Sequence, residues 1–181
     1  MPSNGKLSLV LDCETTGVNP ALDRVCEIAV ILTDWNSVYA VLSTFVNPGF
    51  AFSNSVNGLS LKECGSAPSF RDLCNGGFNL LLGLCDEFIG HNLAFDIRFL
   101  TVEFRHLNLV FPIRPVYDTY KLCKRRLPEA CAQYKIDTQD VQWHSALGDT
   151  VATFRLAQKM RALQLAEAED EVAVGISPRF Q

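Results

Sequence analysis

Apolar residues fall in short, dense blocks through the first part of the chain, each closed by turn-forming residues. Residues 6–12 are rich in Leu and Val and predict a strand that ends at the turn Thr15-Thr16-Gly17. Two more β-rich runs, 25–33 and 38–46, are separated only by Asp34-Trp35-Asn36-Ser37, which predicts an antiparallel hairpin stopped by Pro48 and Gly49. The pattern then lengthens towards helical spacing. A short helix is expected over 59–64 after the Asn57-Gly58 turn, and Ser69 is placed to cap a helix from Phe70 onward. Gly76-Gly77 together cost about 2 kcal/mol against two alanines inside a helix, so that helix is expected to break there.

Further on, 87–90 and 116–118 read as short strands and 94–106 as a helix with Phe95, Phe99 and Leu100 on its apolar face. Residues 120–126 and 128–134 read as helical, and 146–166 as a long final helix. Three strands followed by alternating helices and strands predict an α/β fold, a mixed central sheet flanked by helices. The expected organisation is one domain over 1–166 and a weakly ordered acidic tail over 167–181.

Composition narrows the classes. At 181 residues, 48% of them hydrophobic, the chain can bury a core without disulfides or a structural metal. The net charge of −4 argues against a protein that coats long nucleic acid through phosphates, but not against an enzyme that meets a few nucleotides at a time. The seven cysteines include no C-x-x-C pair, which argues against a zinc or disulfide framework. With no run of 18 apolar residues and no signal-like start, no membrane partner is expected, and a reduced, cytoplasmic setting is.

Candidate chemistry sits in three places. In Asp12-Cys13-Glu14, strand alternation puts both carboxylates on one face. Two neighbouring acids at the end of an apolar strand repel, and a hard divalent cation is the usual remedy, although an isolated D-x-E is most often solvated. In Gly90-His91-Asn92-Leu93-Ala94-Phe95-Asp96, a strand turns into a helix with an acid in its first turn, where the helix dipole alone could explain it. In His144-Ser145-Ala146-Leu147-Gly148-Asp149, a histidine precedes the last helix and an acid follows about one turn in, so both can face one cleft.

Taken together, in this order and spacing, the three motifs resemble the DEDDh exonucleases. This is the family of the DNA polymerase III proofreading (epsilon) subunit, ribonuclease T and oligoribonuclease, and the resemblance covers residues from about 7 to 160. It implies an RNase H-like fold and two Mg²⁺ or Mn²⁺ ions held by Asp12, Glu14, Asp96 and Asp149, with Asp96 acting partly through water. It further implies His144 as the general base. Thr15, Thr16, Leu59, Asn92 and Phe95 are the positions it assigns to substrate, Leu59 as a wedge between the last two bases. The implied reaction releases 5′-mononucleotides from the 3′ end of single-stranded or frayed DNA or RNA.

Two departures stand out. Asn57 replaces the histidine usual in the relatives' V-H-G-I segment, and the connection after Asp118 is shortened to Arg126-Leu127-Pro128-Glu129-Ala130-Cys131. A basic run (Arg98, Arg105, Arg114, Lys121, Lys124, Arg125, Arg126) reads either as a solvated face or as a phosphate-contacting rim. DNA proofreading or repair beside a polymerase is the first expectation. RNA processing is the alternative within the class, and a non-catalytic binding module the alternative outside it.

Overall fold

The computed structural model describes residues 5–53 and 58–173. Five strands, β1 (Ser8–Thr15), β2 (Val25–Thr33), β3 (Val38–Phe45), β4 (Glu87–Gly90) and β5 (Val116–Asp118), form one mixed sheet in the order β3-β2-β1-β4-β5. The first three pair antiparallel, whereas β4 and β5 run parallel to β1. All nine residues of β2 are buried, because helices cover both faces of the sheet.

On one face Leu9, Leu11 and Cys13 meet a core built from Phe70 of α2 (Phe70–Leu73), Leu82 of α3 (Asn79–Leu84), Phe99 and Phe104 of α4 (Ala94–His106), and Phe78 between α2 and α3. Phe70, Phe78 and Phe104 pack edge to face there, an arrangement aromatic quadrupoles favour. On the other face Val10, Ile31 and Ile89 meet Phe154 and Ala157 of α7 (Ala146–Ala173). Strand alternation therefore sends Asp12 and Glu14, which share the parity of Val10, towards α7.

Local signals account for most boundaries. Ser60 caps α1 (Leu61–Cys64) and Ser69 caps α2, each in a reciprocal capping box with Glu63 or Asp72. The break expected at Gly76-Gly77 takes the form of a π turn, Cys74–Phe78, in which Gly77 has φ 130, a conformation open to glycine. Beyond β5 lie α5 (Thr119–Cys123), closed by Lys124 in the left-handed region, and α6 (Leu127–Gln133). These two helices are shorter or shifted relative to the expected 120–126 and 128–134.

One expectation is corrected. The last helix does not stop near 166 but continues to Ala173, through the acidic run read as weakly ordered. Alanine, glutamate, leucine and glutamine are strong helix formers, so a helix already nucleated and packed extends through them although residues 162–169 are all exposed. Residues 174–181 of the expected tail lie outside the described residues. Among the described residues no helix is long and apolar enough to cross a membrane. All seven cysteines are free, and six of them are buried.

One ion pair ties the entry to β2 onto α4. Arg24 donates through Nε, at 2.7 Å, and Nη2 to the carboxylate of Glu103, which is 2% exposed, and the Val25 N–H donates to the same group. Removing one partner strands a buried charge, so Arg24→Ala should destabilise the protein by about 3 kcal/mol in urea unfolding. An unchanged unfolding midpoint would show that water reaches Glu103 and that the pair is dispensable.

Candidate active site

The carboxylates of the first motif stand at the carboxyl end of β1. Asp12 and Glu14 are half-buried, and one oxygen from each, with one from Asp149 on α7, lie within 4.8 Å of one another. Burial raises the Asp12 carboxyl well above the usual range, and the nearby charges of Asp96, Asp149 and Glu14 raise it further. Burial also raises Asp149, opposed by the nearby His144. Asp149 Oδ1 is buried and finds no hydrogen-bond partner among the described residues. A cluster of acids with an orphaned oxygen suits a hard divalent cation, whose preferred ligands are carboxylate oxygens.

Asp96 arrives from the opposite layer. It lies in the first turn of α4, 4% exposed, and its Oδ1 accepts the Cys13 backbone N–H at 2.9 Å. The acid therefore grips the residue between Asp12 and Glu14. Burial pushes its carboxyl up to about 7, against the pull of backbone N–H groups. Its oxygens are outside the three-acid group.

His144 is exposed just ahead of α7, with φ 62 in the left-handed region that non-glycine residues seldom occupy. Gly148 makes that approach possible. A Cβ there would lie 2.0 Å from the Gln142 carbonyl oxygen, so only glycine lets the 142–145 turn fold back against the helix.

The expected substrate positions spread around this centre. Thr15 ends β1 and Thr16 follows it, and their hydroxyls donate to the Gly17 carbonyl and to Asp23 respectively. Asn92 is exposed with φ 64, and Phe95 is half-buried with its ring 4.9 Å from Phe99. Leu59, the expected wedge, is 9% exposed and packs with Cys26, Cys64 and Phe52. Asn57 lies outside the described residues. Of the basic run, Arg114 is tied to the Cys85 carbonyl, whereas Lys121, Lys124, Arg125 and Arg126 are exposed.

Two acids were missed in the sequence. Asp118 is buried at the end of β5, and its Oδ1 accepts the N–H groups of Asn92 and Tyr120, bracing the turn that leads to Asp96. Glu27 is buried on β2 directly opposite Glu14, and its Oε2 accepts the Ala146 N–H at 3.2 Å. A lone glutamate in the otherwise apolar run of 25–32 was the available signal, since unpaired acids are rarely buried.

The mixed five-stranded sheet flanked by helices, which brings acids of its first strand and last helix together, has the RNase H-like fold. The exonuclease family model RNase_T matches residues 9–157, and the chain belongs to that family. It is 28% identical to a PolC-type DNA polymerase III of Oceanobacillus iheyensis over 84% of its length, while spanning only 11% of that polymerase. It is also 28% identical to the DNA polymerase III epsilon subunit of Buchnera aphidicola, covering 81% of this chain and 69% of that one. The fold is that of E. coli exonuclease I, solved in complex with a dA16 oligonucleotide (TM-score 0.75, 19% identity, 89% of this chain and 42% of that one). Exonuclease X, solved with 5′ overhanging duplex DNA, is similar at a TM-score of 0.63 with 20% identity over 86% of this chain and 92% of that one.

Proposed function

We propose that the chain removes nucleotides one at a time from the 3′ end of single-stranded or frayed DNA, releasing 5′-mononucleotides. The observation that carries this reading is the group formed by Asp12, Glu14 and Asp149, with its orphaned buried oxygen, beside an exposed histidine. Asp12, Glu14 and Asp149 would hold divalent cations, Mg²⁺ or Mn²⁺, with Asp96 completing the set. When bound, a pair of such ions stabilises the attacking and leaving oxygens of an in-line displacement at phosphorus.

The protein's own groups do the rest. His144 takes a proton from the attacking water as its oxygen bonds to phosphorus and the bond from phosphorus to the 3′ oxygen breaks. The released 3′ oxygen picks up a proton, leaving a shortened strand with a free 3′ hydroxyl. Asp96 holds Cys13 and so keeps the spacing of the two strand acids. The basic turn of Lys124, Arg125 and Arg126 lies near His91, beside the Asn92 turn, where it can meet the phosphates of the incoming strand. Likeness to two kinds of DNA polymerase III chain supports a proofreading or repair role with a polymerase partner. The net charge of −4 fits an enzyme delivered to its substrate rather than one that grips it alone. Seven unpaired thiols fit a reduced, cytoplasmic setting.

With Mg²⁺, a 5′-labelled single strand should shorten as a ladder of one-nucleotide steps. Label appearing first as a free mononucleotide would reverse the polarity and overturn the reading. An RNA of the same sequence, digested in parallel, decides the sugar: faster loss of RNA would replace DNA with RNA as the substrate.

A further inference from the structure

We infer that Glu27 is a positioning residue for the reacting segment, holding the first turn of α7 so that His144 and Asp149 face Asp12 and Glu14. The inference rests on reading this site as a nuclease centre. Glu27 and Glu14 are direct partners in the β1–β2 register, so both side chains leave the sheet on the α7 face. Like charges directly opposite one another destabilise a strand pair. A buried glutamate in that place needs a compensating contact.

The compensation comes from the other layer. Ala146 opens α7, and the first N–H groups of a helix have no partner within it. Glu27 Oε2 accepts the Ala146 N–H from 119 positions away in sequence. The positive end of the helix adds to that bond. A second tie from the same strand, Thr150 Oγ1 to the Ala29 carbonyl at 3.3 Å, lies one turn further along.

The groups held are the reacting ones. His144 lies two residues before the anchored N–H and Asp149 three residues after it. A left-handed backbone at a non-glycine residue persists only where its surroundings enforce it, and the anchor at Ala146 with the close contact at Gly148 does so for His144. Glu27 itself stands outside the three acids whose oxygens converge. Its bond goes to the helix backbone, which separates an anchor from a ligand.

The test compares Glu27→Ala with Glu27→Gln in the full chain, following kcat, KM and calorimetric Mn²⁺ binding. Displacing reacting groups by about 1 Å costs roughly 10²-fold, so Glu27→Ala should lose about that in kcat with KM little changed. Glutamine keeps an oxygen that accepts the Ala146 N–H, and Glu27→Gln should return to within a few-fold of the wild type. Mn²⁺ binding should weaken in Glu27→Ala, because Asp149 rides on the same segment, and stay near wild type in Glu27→Gln. A glutamine variant as slow as the alanine variant would make the charge, not the hydrogen bond, the essential feature and overturn the proposal. An alanine variant with wild-type kcat would overturn it equally. If Glu27→Ala fails to fold, Glu27→Gln decides alone, with retained activity in favour and loss against. A wild-type chain that binds Mn²⁺ but degrades nothing would remove the nuclease reading, while the metal titrations still report on the anchor.

Discussion

Replacing Asp12 with alanine is expected to abolish turnover while the protein remains folded. Metal-assisted stabilisation of a phosphoryl transition state amounts to several kcal/mol, so the loss should be about 10³-fold or more. Excess chelator should do the same to the wild type, and Mg²⁺ or Mn²⁺ should restore it. Full activity in chelator would end the metal-dependent reading. The raised carboxyls give this prediction a pH signature. The Asp96 carboxyl stands at about 7 in the fold, against about 3.9 in an unfolded chain. Between those values the folded state holds more protons than the unfolded state. The metal-free protein should therefore lose stability as pH rises from about 4 towards 7. A cation must displace those protons, so apparent metal affinity should climb over the same interval. Thermal melts with and without Mg²⁺ across that range would check both trends. A melting point that rises with pH in chelator would contradict them.

The second large effect is expected at His144. A general base contributes about 10²–10⁴-fold, so His144→Ala should lower kcat by that much. The metal-titration midpoint should stay near that of the wild type. The structural reason is that the His144 ring stands outside the three acids whose oxygens converge. The variant should keep the left-handed backbone of residue 144. His144→Asn is the better variant for this purpose, because asparagine tolerates positive φ more readily than alanine. A shifted midpoint with an unchanged saturated rate would instead make the imidazole a ligand.

Much of this site was legible because its chemistry sits at element ends, where sequence pattern is most informative. Alternation alone placed Asp12 and Glu14 on one face, and the turn before α4 placed Asp96 in a first helical turn. The strand order was not readable, since pairing is a property of the whole sheet, and so the meeting of Glu27 with Glu14 was hidden. Asp118 looked like the end of a short strand, and its bond to the Asn92 N–H spans 26 positions that no local pattern connects. The packing of Leu59 against Cys26 and Cys64 was likewise hidden, since β2 and α1 meet only in the folded chain. The overlong α7 was missed for a different reason. Acidic composition suggested disorder, while the same residues have high helix propensity once a packed helix precedes them.

The face shared by Asp12, Glu14 and Asp149 also bears on how this chain can change over generations. Without a cation, these acids work against the fold, so neutral replacements among them would often give a sturdier protein. Selection for robustness alone would wear this face away first. A library of variants screened only for heat resistance should accordingly be richest in survivors that have discarded one of these acids, and poorest in enzyme.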